Sequence, residues 1–352
     1  MHSMNKRVLV AMSGGVDSSF TAALLQQQGY VVEGVTMKLS PGVCCDIASA
    51  QSVCVHLAIP HHIIDLQREF EDHVVRRFIE EYRAGRTPNP CIRCNDVIKF
   101  QVLLSHANAR GFEFLATGHY ARVERDPASP RYRLRTGADT DKDQSYFLYR
   151  LTQEQLRHVL FPLGGMLKRD VRRQAREMRL PAAERPESQD ICFVPDNDYR
   201  TFLKERAPDI LRRGEIVMTD GSVVGKHEGV AFYTVGQRRG LGVSAGGRLY
   251  VVRIEPKTSR VVLGQHRDLE TLSVEVSDAR FLLFDRLEAP LSVGVKVRYR
   301  SALQPATIRP AAGDRIAVDF ERPAAGVTPG QAAVFYDGDV VVGGGTINAC
   351  PL

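Results

Sequence analysis

Hydrophobic positions in the first third of the chain fall into short unbroken runs separated by stretches of helical period. Arg7 to Ala11 is apolar at every position after the first, the pattern of a strand covered on both faces. Ser18 to Gln28 places Phe20, Ala23 and Leu24 on one side and stops at Gly29, which predicts a helix. Val31 to Met37 reads as the next strand, Asp46 as the cap of a helix reaching about Leu57, and His62 to Asp65 as a third strand. Helices are predicted over 68–83 and 95–109, the latter stopped by Gly111, and a fourth strand over Glu113 to Thr117. Strands separated by helices imply an α/β fold built on a doubly wound parallel sheet. The loops at the carboxyl ends of such strands form the ligand crevice. Arg122 to Tyr132 reads as a hairpin with its tip at Asp126-Pro127.

Beyond about Arg206 the texture changes. Gly221, Gly225, Gly229, Gly236, Gly240, Gly242, Gly246 and Gly247 punctuate short β-branched runs. From about Leu269 strands alternate with turns, as in VGVKVRYRS, DRIAVDF and QAAVFYDGDVVVGGG, which predicts two small β modules, the second a barrel. The expected division is 1–205, 206–268 and 269–352, in keeping with a chain of 352 residues at roughly 150 residues per domain. Hydrophobic residues at 43% and charged residues at 25% exclude disorder, collagen and coiled coil as descriptions of the whole. No run approaches the ~18 apolar residues of a membrane span, and Val8 to Met12 is too short for a signal peptide. A cytoplasmic protein that does not enter a membrane is expected. The net charge of +6 permits a polyanionic partner without identifying one. Seven cysteines, at 44, 45, 54, 91, 94, 192 and 350, point in a reducing compartment to redox, sulfur or metal chemistry.

Ser13-Gly14-Gly15-Val16-Asp17-Ser18-Ser19 lies between the first strand and the first helix. Two glycines allow a tight turn and leave backbone N–H groups bare at a helix amino terminus, an anion nest. Ser13, Ser18 and Ser19 add hydroxyl donors. Asp17 would repel phosphate unless a divalent cation lay between them, so Mg²⁺ is expected there. There is no Gly-Lys-Ser/Thr and no GxGxxG, so the loop is neither a Walker A loop nor a dinucleotide fingerprint. It resembles the pyrophosphatase loop of the N-type ATP pyrophosphatases, which adenylate an oxygen and expel pyrophosphate.

In Arg86-Thr87-Pro88-Asn89-Pro90-Cys91-Ile92-Arg93-Cys94-Asn95 two prolines fix an extended loop that enters a helix near Asn95. Cys94 would then sit at a helix amino terminus near Arg93 and Lys99, where thiolate is favoured. Ser188-Gln189-Asp190-Ile191-Cys192-Phe193 places another thiol on a short apolar segment. Taken singly, either cysteine is more often inert filler than a nucleophile.

SGGVDSS, GRTPNPC..CN..IKF, ATGHYARV, DKDQSYFLY, the ICF cysteine, TVGQRRGLG, VKVRYR and TPGQAAVFYDGDVVVGGGTI together make the chain similar, almost end to end, to the bacterial tRNA-specific 2-thiouridylases. The resemblance implies a pyrophosphatase domain, a small central β domain and a carboxy-terminal β-barrel that helps to hold tRNA. It implies that Ala11, Met12, Ser13, Gly14, Gly15, Val16, Asp17 and Ser18 bind ATP and Mg²⁺, with Met37 and Gly118 flanking the adenosine. Cys192 would accept sulfur as a persulfide from a donor protein, with Cys94 as its partner thiol. The implied reaction adenylates the 2-carbonyl oxygen of the wobble uridine. Sulfur then attacks, from the persulfide or as sulfide released by Cys94, AMP leaves, and Cys94 and Cys192 end as a disulfide. Asn89, Pro90, Cys91, His119, Lys142, Asp143, Gln144, Arg298, Tyr299 and Gln331 would meet tRNA.

Many members of that family have Asp where this chain has Cys91. Three thiols, Cys91, Cys94 and Cys192, could instead hold a [4Fe-4S] cluster with an open iron, or zinc. Period-2 alternation from Val295 to Arg300 would put Lys296, Arg298 and Arg300 on one strand face, for RNA phosphates or simply for solvent. Arg238 and Arg239 suit phosphates on a flexible loop. Cys44 and Cys45 are expected to be non-catalytic, Cys54 to be core, and Cys350 is given no role. Two competing readings remain: a pyrophosphatase-loop ligase using ammonia or an amine, which needs no thiol pair, and a non-catalytic tRNA-binding scaffold.

Overall fold

The structure, a computed structural model, describes residues 6–40, 46–186, 191–243 and 247–348. Cys44, Cys45, Cys350 and Ser188 to Asp190 lie outside the described residues. The chain forms two units. The first gathers 1–74, 91–197 and 339–341; the second gathers 75–90, 198–338 and 342–352.

The first unit is built on strands β1 (Arg7–Ala11), β2 (Val31–Lys38), β3 (His61–Asp65) and β4 (Phe114–Ala116), with the hairpin β5 (Ala121–Arg125) and β6 (Tyr132–Thr136) and the two-residue β7 (Val159–Leu160). The sheet runs β3-β2-β1-β4-β7 and its strands pair in parallel. β7 leaves no periodic signal because two residues are too few to show one. Val8, Leu9 and Val10 are all buried, because helices cover both faces of β1. Each such burial contributes about 1.5–3 kcal/mol. The helix Val16–Gln27 serves both layers: Ala22 and Leu25 join Val8, Val10 and Val53 in one cluster, while Phe20 and Ala23 join Tyr120, Val171 and Ala175 in the other. The helix Ile47–His56 starts where Asp46 accepts a hydrogen bond from the Ser49 N–H, as its position in the sequence implies.

The strand order reverses between β1 and β4, so the crevice opens beyond their carboxyl ends. The turn at 12–15 leaves one of these strands and Gly118 follows the other.

Helical structure continues without a break through Pro90–Arg93, Cys94–Leu103 and Leu104–Ala109, the middle segment having the wider π turn. The helix therefore begins five residues before the expected Asn95. Proline at a first helical position forfeits nothing, because that N–H has no intrahelical partner. Cys91 falls in the first turn and Cys94 opens the π segment, a feature often found at functional sites.

In the second unit β8 (Gly214–Met218), β9 (Val223–His227), β10 (Tyr250–Glu255) and β11 (Arg260–Gly264) form a sheet ordered β10-β11-β8-β9 around Ile216, Val251, Val261 and Leu263. Then β12 (Glu270–Phe281), β13 (Leu291–Lys296), β14 (Gln304–Pro310), β15 (Ile316–Ala325), β16 (Ala332–Asp337) and β17 (Val340–Ile347) run β12-β15-β14-β13-β16-β17, and β12 pairs again with β17 to close a six-stranded barrel. The seam is possible because β12 changes partner along its length at a bulge near Asp278, whose φ is +52°. The glycine run of β17 serves that seam: a Cβ on Gly343 would lie 2.2 Å from the Arg280 carbonyl oxygen. The strand expected to continue to Arg300 ends at Lys296, because the chain turns at 297–301 with Arg298 N donating to Ser301 Oγ.

Residues 75–90 pack with this unit rather than with the rest of the expected 1–205 domain. Thr87 N donates to Pro329 O at 2.8 Å, Gln331 Nε2 donates to Thr87 O at 2.8 Å, and Thr87 Oγ1 donates to Thr234 Oγ1 at 3.1 Å. Gly330 makes the approach possible: it has φ +90°, and a Cβ there would meet Arg86 and Thr87 at 2.9–3.0 Å. Such long-range closure leaves no local periodicity to read.

Cys54 is buried, as expected, against Gly34 of β2, where a Cβ would lie 2.6 Å from its Sγ. Gly34→Ala is expected to lower stability by about 1–3 kcal/mol through overpacking, and Cys54→Ala in the same chain to restore most of it. Chemical denaturation of the single and double variants checks this; equal losses in both would refute the contact.

Candidate active site

The helix Val16–Gln27 begins at the crevice with Gly15 in the cap position and no side chain accepting from its first N–H groups. Those groups have no intrahelical partner and carry the positive end of the helix dipole. Gly14 shapes the turn. Its φ is +81°, and a Cβ there would stand 2.8 Å from Asp46 O. Gly118, after β4, comes so close that a Cβ would lie 2.8 Å from the Asp17 carbonyl carbon and 3.0 Å from Ser18 N. Ala11 and Met12 lead into the turn, and Met12 and Met37 are buried.

The loop hydroxyls are spent within the loop. Ser18 Oγ and Ser19 Oγ donate to Gly15 O at 3.1 and 2.8 Å, and Ser13 N donates to Ser18 Oγ at 3.2 Å. Short hydroxyl side chains in a first helical turn fold back on nearby backbone in this way. From outside the loop, Arg185 donates to Gly14 O at 3.3 Å and pairs with Asp46 at 2.7 Å. Asp46 is held down to about 2, first by its bonds from Ser49 and then by Arg185.

Asp17, where Mg²⁺ is expected, also has partners within the protein. Lys168 Nζ donates to Asp17 Oδ1 and Oδ2 at 2.7 and 2.6 Å, and Tyr120 Oη donates to Oδ1 at 2.8 Å. The lysine lies 151 positions from Asp17 in the chain.

Cys91, Cys94 and Cys192 all belong to this unit. Cys91 is exposed and Cys94 half-buried; they lie three residues apart on one helix and so on one side of it. On the same helical stretch Asp96, almost fully buried, accepts from Arg150 Nε at 2.9 Å and Arg93 Nη1 at 3.2 Å. Phe193 anchors the Cys192 segment by packing edge-on against Phe70, centroids 5.5 Å apart. Although the residue as a whole is exposed, desolvation around the sulfur raises the pKa of Cys91, the nearby Cys192 thiol raises it further, and Lys99 opposes both. Among the described residues no three His, Cys, Asp or Glu side chains converge as a metal-binding group.

The residues assigned to RNA divide. His119 is turned inward: Nδ1 shares a 2.6 Å hydrogen bond with Thr117 Oγ1, and the ring packs against Phe100 and Phe161. Asp143 is buried and accepts from Gly137 N, Ser145 N and Ser145 Oγ, each at 3.0 Å, so it builds its own loop. Gln144 Oε1 accepts from Tyr120 N at 3.0 Å. Lys142 is partly exposed beside them. In the second unit Pro90 is buried and Asn89 half-buried, while Gln331 is engaged with Thr87. Arg298 donates to Val235 O at 2.8 Å and to Thr328 Oγ1, bracing two turns, and Tyr299 lies partly exposed next to it.

A family model described as "tRNA methyl transferase HUP domain" matches residues 6–196, one described as "tRNA methyl transferase PRC-barrel domain" matches 200–265, and an "Aminomethyltransferase beta-barrel domain" matches 272–347. The tRNA-specific 2-thiouridylase of Heliobacterium modesticaldum is 48% identical over 98% of this chain and 93% of its own. That of Carboxydothermus hydrogenoformans is 47% identical over 97% of each chain. The chain belongs to the tRNA-specific 2-thiouridylase family. It is thus an enzyme of the sulfurtransferase class.

In this chain, sequence reading missed Lys168, Tyr120, Arg185 and Asp139. A signal existed for Lys168: a lysine opening a helix opposes the helix dipole, and such local conflicts often mark a tertiary partner. Tyr120 and Arg185 left none, because each acts through one polar tip on a residue remote in sequence.

Burial holds the His119 imidazole well below its ordinary value of 6.5, and Lys99 adds to this. The fold therefore favours the neutral ring. The stability it lends is complete above the unfolded value and declines as pH falls below it, by at most about 1.4 kcal/mol per pH unit. Urea unfolding at pH 7.5 and pH 5.0 should show a larger acid loss in the native chain than in His119→Gln; equal losses would contradict an uncharged buried ring.

Proposed function

We propose that this enzyme replaces the 2-oxo oxygen of a tRNA wobble uridine with sulfur at the expense of ATP, in the cytoplasm. The bare helix terminus at Gly14 and Gly15 would take the polyphosphate of Mg²⁺-ATP, with the adenosine near Met37 and Gly118. The uridine oxygen attacks the α-phosphorus, and pyrophosphate leaves against amides already aimed at the developing charge. The terminal sulfur of a Cys192 persulfide, loaded by a donor protein, attacks C2 of the adenylated base. AMP departs with the former 2-oxo oxygen. Cys94 thiolate then attacks Cys192 Sγ, which releases the thiouridine sulfur and leaves a Cys94–Cys192 disulfide for an external thiol to reduce.

The observation that carries this reading is the presence, in a single unit of the fold, of an uncapped phosphate-type loop and the thiols Cys91, Cys94 and Cys192. Family membership supports it, since the relatives named above are 2-thiouridylases. An amine-using ligase would have no need of these thiols. The partly exposed Lys142 suits a tRNA phosphate; Asp143 and His119 support that loop from within.

Nucleoside mass spectrometry of tRNA from cells lacking the protein is expected to show loss of 2-thiolated wobble uridine. With purified protein, Cys192→Ser and Cys94→Ser should each reduce thiolation by roughly 10²-fold or more while ATP- and tRNA-dependent pyrophosphate release continues. Thiolation that survives both substitutions would refute the mechanism.

A further inference from the structure

Lys168 is the first residue of the helix Lys168–Glu177, the end that disfavours a cation. Two acids offset this. Asp139 accepts from the Lys168 backbone N–H at 2.8 Å, and Asp17 holds the ammonium through both carboxylate oxygens at 2.6–2.7 Å. The Lys168 side chain is 9% exposed and that of Asp17 33%, so the pair is sheltered on the lysine side and open on the aspartate side. Tyr120, whose hydroxyl also reaches Asp17, is held by Gln144.

We propose that Lys168 is the built-in counter-ion of the phosphate loop: a positioning residue that occupies the Asp17 oxygens before nucleotide arrives and competes with Mg²⁺ for them. The ammonium occupies one side of both Asp17 oxygens and would repel an Mg²⁺ approaching them, so the two cations compete. Before the metal enters, the neutralised Asp17 no longer repels a triphosphate from the loop amides. Asp139 and Gln144, which flank Lys142, keep both donors on Asp17 in place.

This assignment rests on reading the loop as an ATP site, and it makes two predictions of opposite sign. In full-length Lys168→Met, equilibrium titration of a fluorescent ATP analogue should show metal-free affinity falling about tenfold, because Asp17 is left bare. The Mg²⁺ midpoint for metal-dependent binding should also fall about tenfold, because the competitor is gone. Lys168→Arg should keep both within about threefold of the native protein. A lysine that only packs its helix would not tighten Mg²⁺. An unchanged or raised midpoint in folded Lys168→Met overturns the proposal. If that variant is recovered unfolded, Asp139→Asn decides: its midpoint should fall about two- to threefold, and an unmoved midpoint overturns the proposal. Failure of the native protein to bind the analogue sinks the ATP reading and the counter-ion role with it; native binding with unmoved midpoints sinks the counter-ion role alone.

Discussion

A helix amino terminus left uncapped at the reversal point of a parallel sheet is the constraint on which the first unit depends. A terminus of this kind normally recruits a side-chain acceptor, and its absence at Gly15 keeps several N–H groups available for an anion. The surrounding residues serve that vacancy. Gly14 supplies the left-handed turn, Gly118 lets the loop after β4 close against the helix, and Ser18 and Ser19 turn their hydroxyls onto Gly15 O. Asp46 and Arg185 hold the outer side of the turn. The turn is thereby held in one shape with its first amides uncapped.

Among the described residues of this unit, several sheltered ionic groups are paired. Asp17 meets Lys168, Asp96 meets Arg150, and Glu33 meets Arg7 and His62. Removing one member of such a pair is more damaging than replacing both, since a buried charge without a partner loses hydration and gains nothing. His119 instead stays neutral and bonds to Thr117. Polar side chains that looked available for substrate when considered one at a time are thus often committed to building the loop that carries the substrate. Asp143 is the clearest example.

The thiols differ from one another in surroundings as well as in position. Cys54 is buried and its thiol is pushed up to about 11, so it is chemically quiet. Cys91 and Cys94 stand on one side of a helix whose first turns are irregular and which also carries Asp96, the partner of Arg150, with Cys192 nearby on a segment pinned by Phe193. Sulfur chemistry needs thiols that can be reached and that can approach one another. Those three meet the first condition, and Cys192 registers in the electrostatics of Cys91.

The alternation of apolar runs and helical periods was enough to define the parallel sheet, the phosphate turn and the β character of the carboxy-terminal half, because burial on both faces of a strand or one face of a helix is written as a local pattern. The glycines and cysteines of the site were legible for the same reason, each being a residue whose chemistry or freedom is rare. The order β3-β2-β1-β4-β7, the bulge at Asp278 that closes the barrel and the grouping of 75–90 with the second unit were decided by hydrogen bonds between distant segments. So was the partner of Asp17. A lysine 151 residues downstream becomes its neighbour only when helix packing brings the two ends together, and no spacing rule within the chain encodes a distance that the fold itself creates.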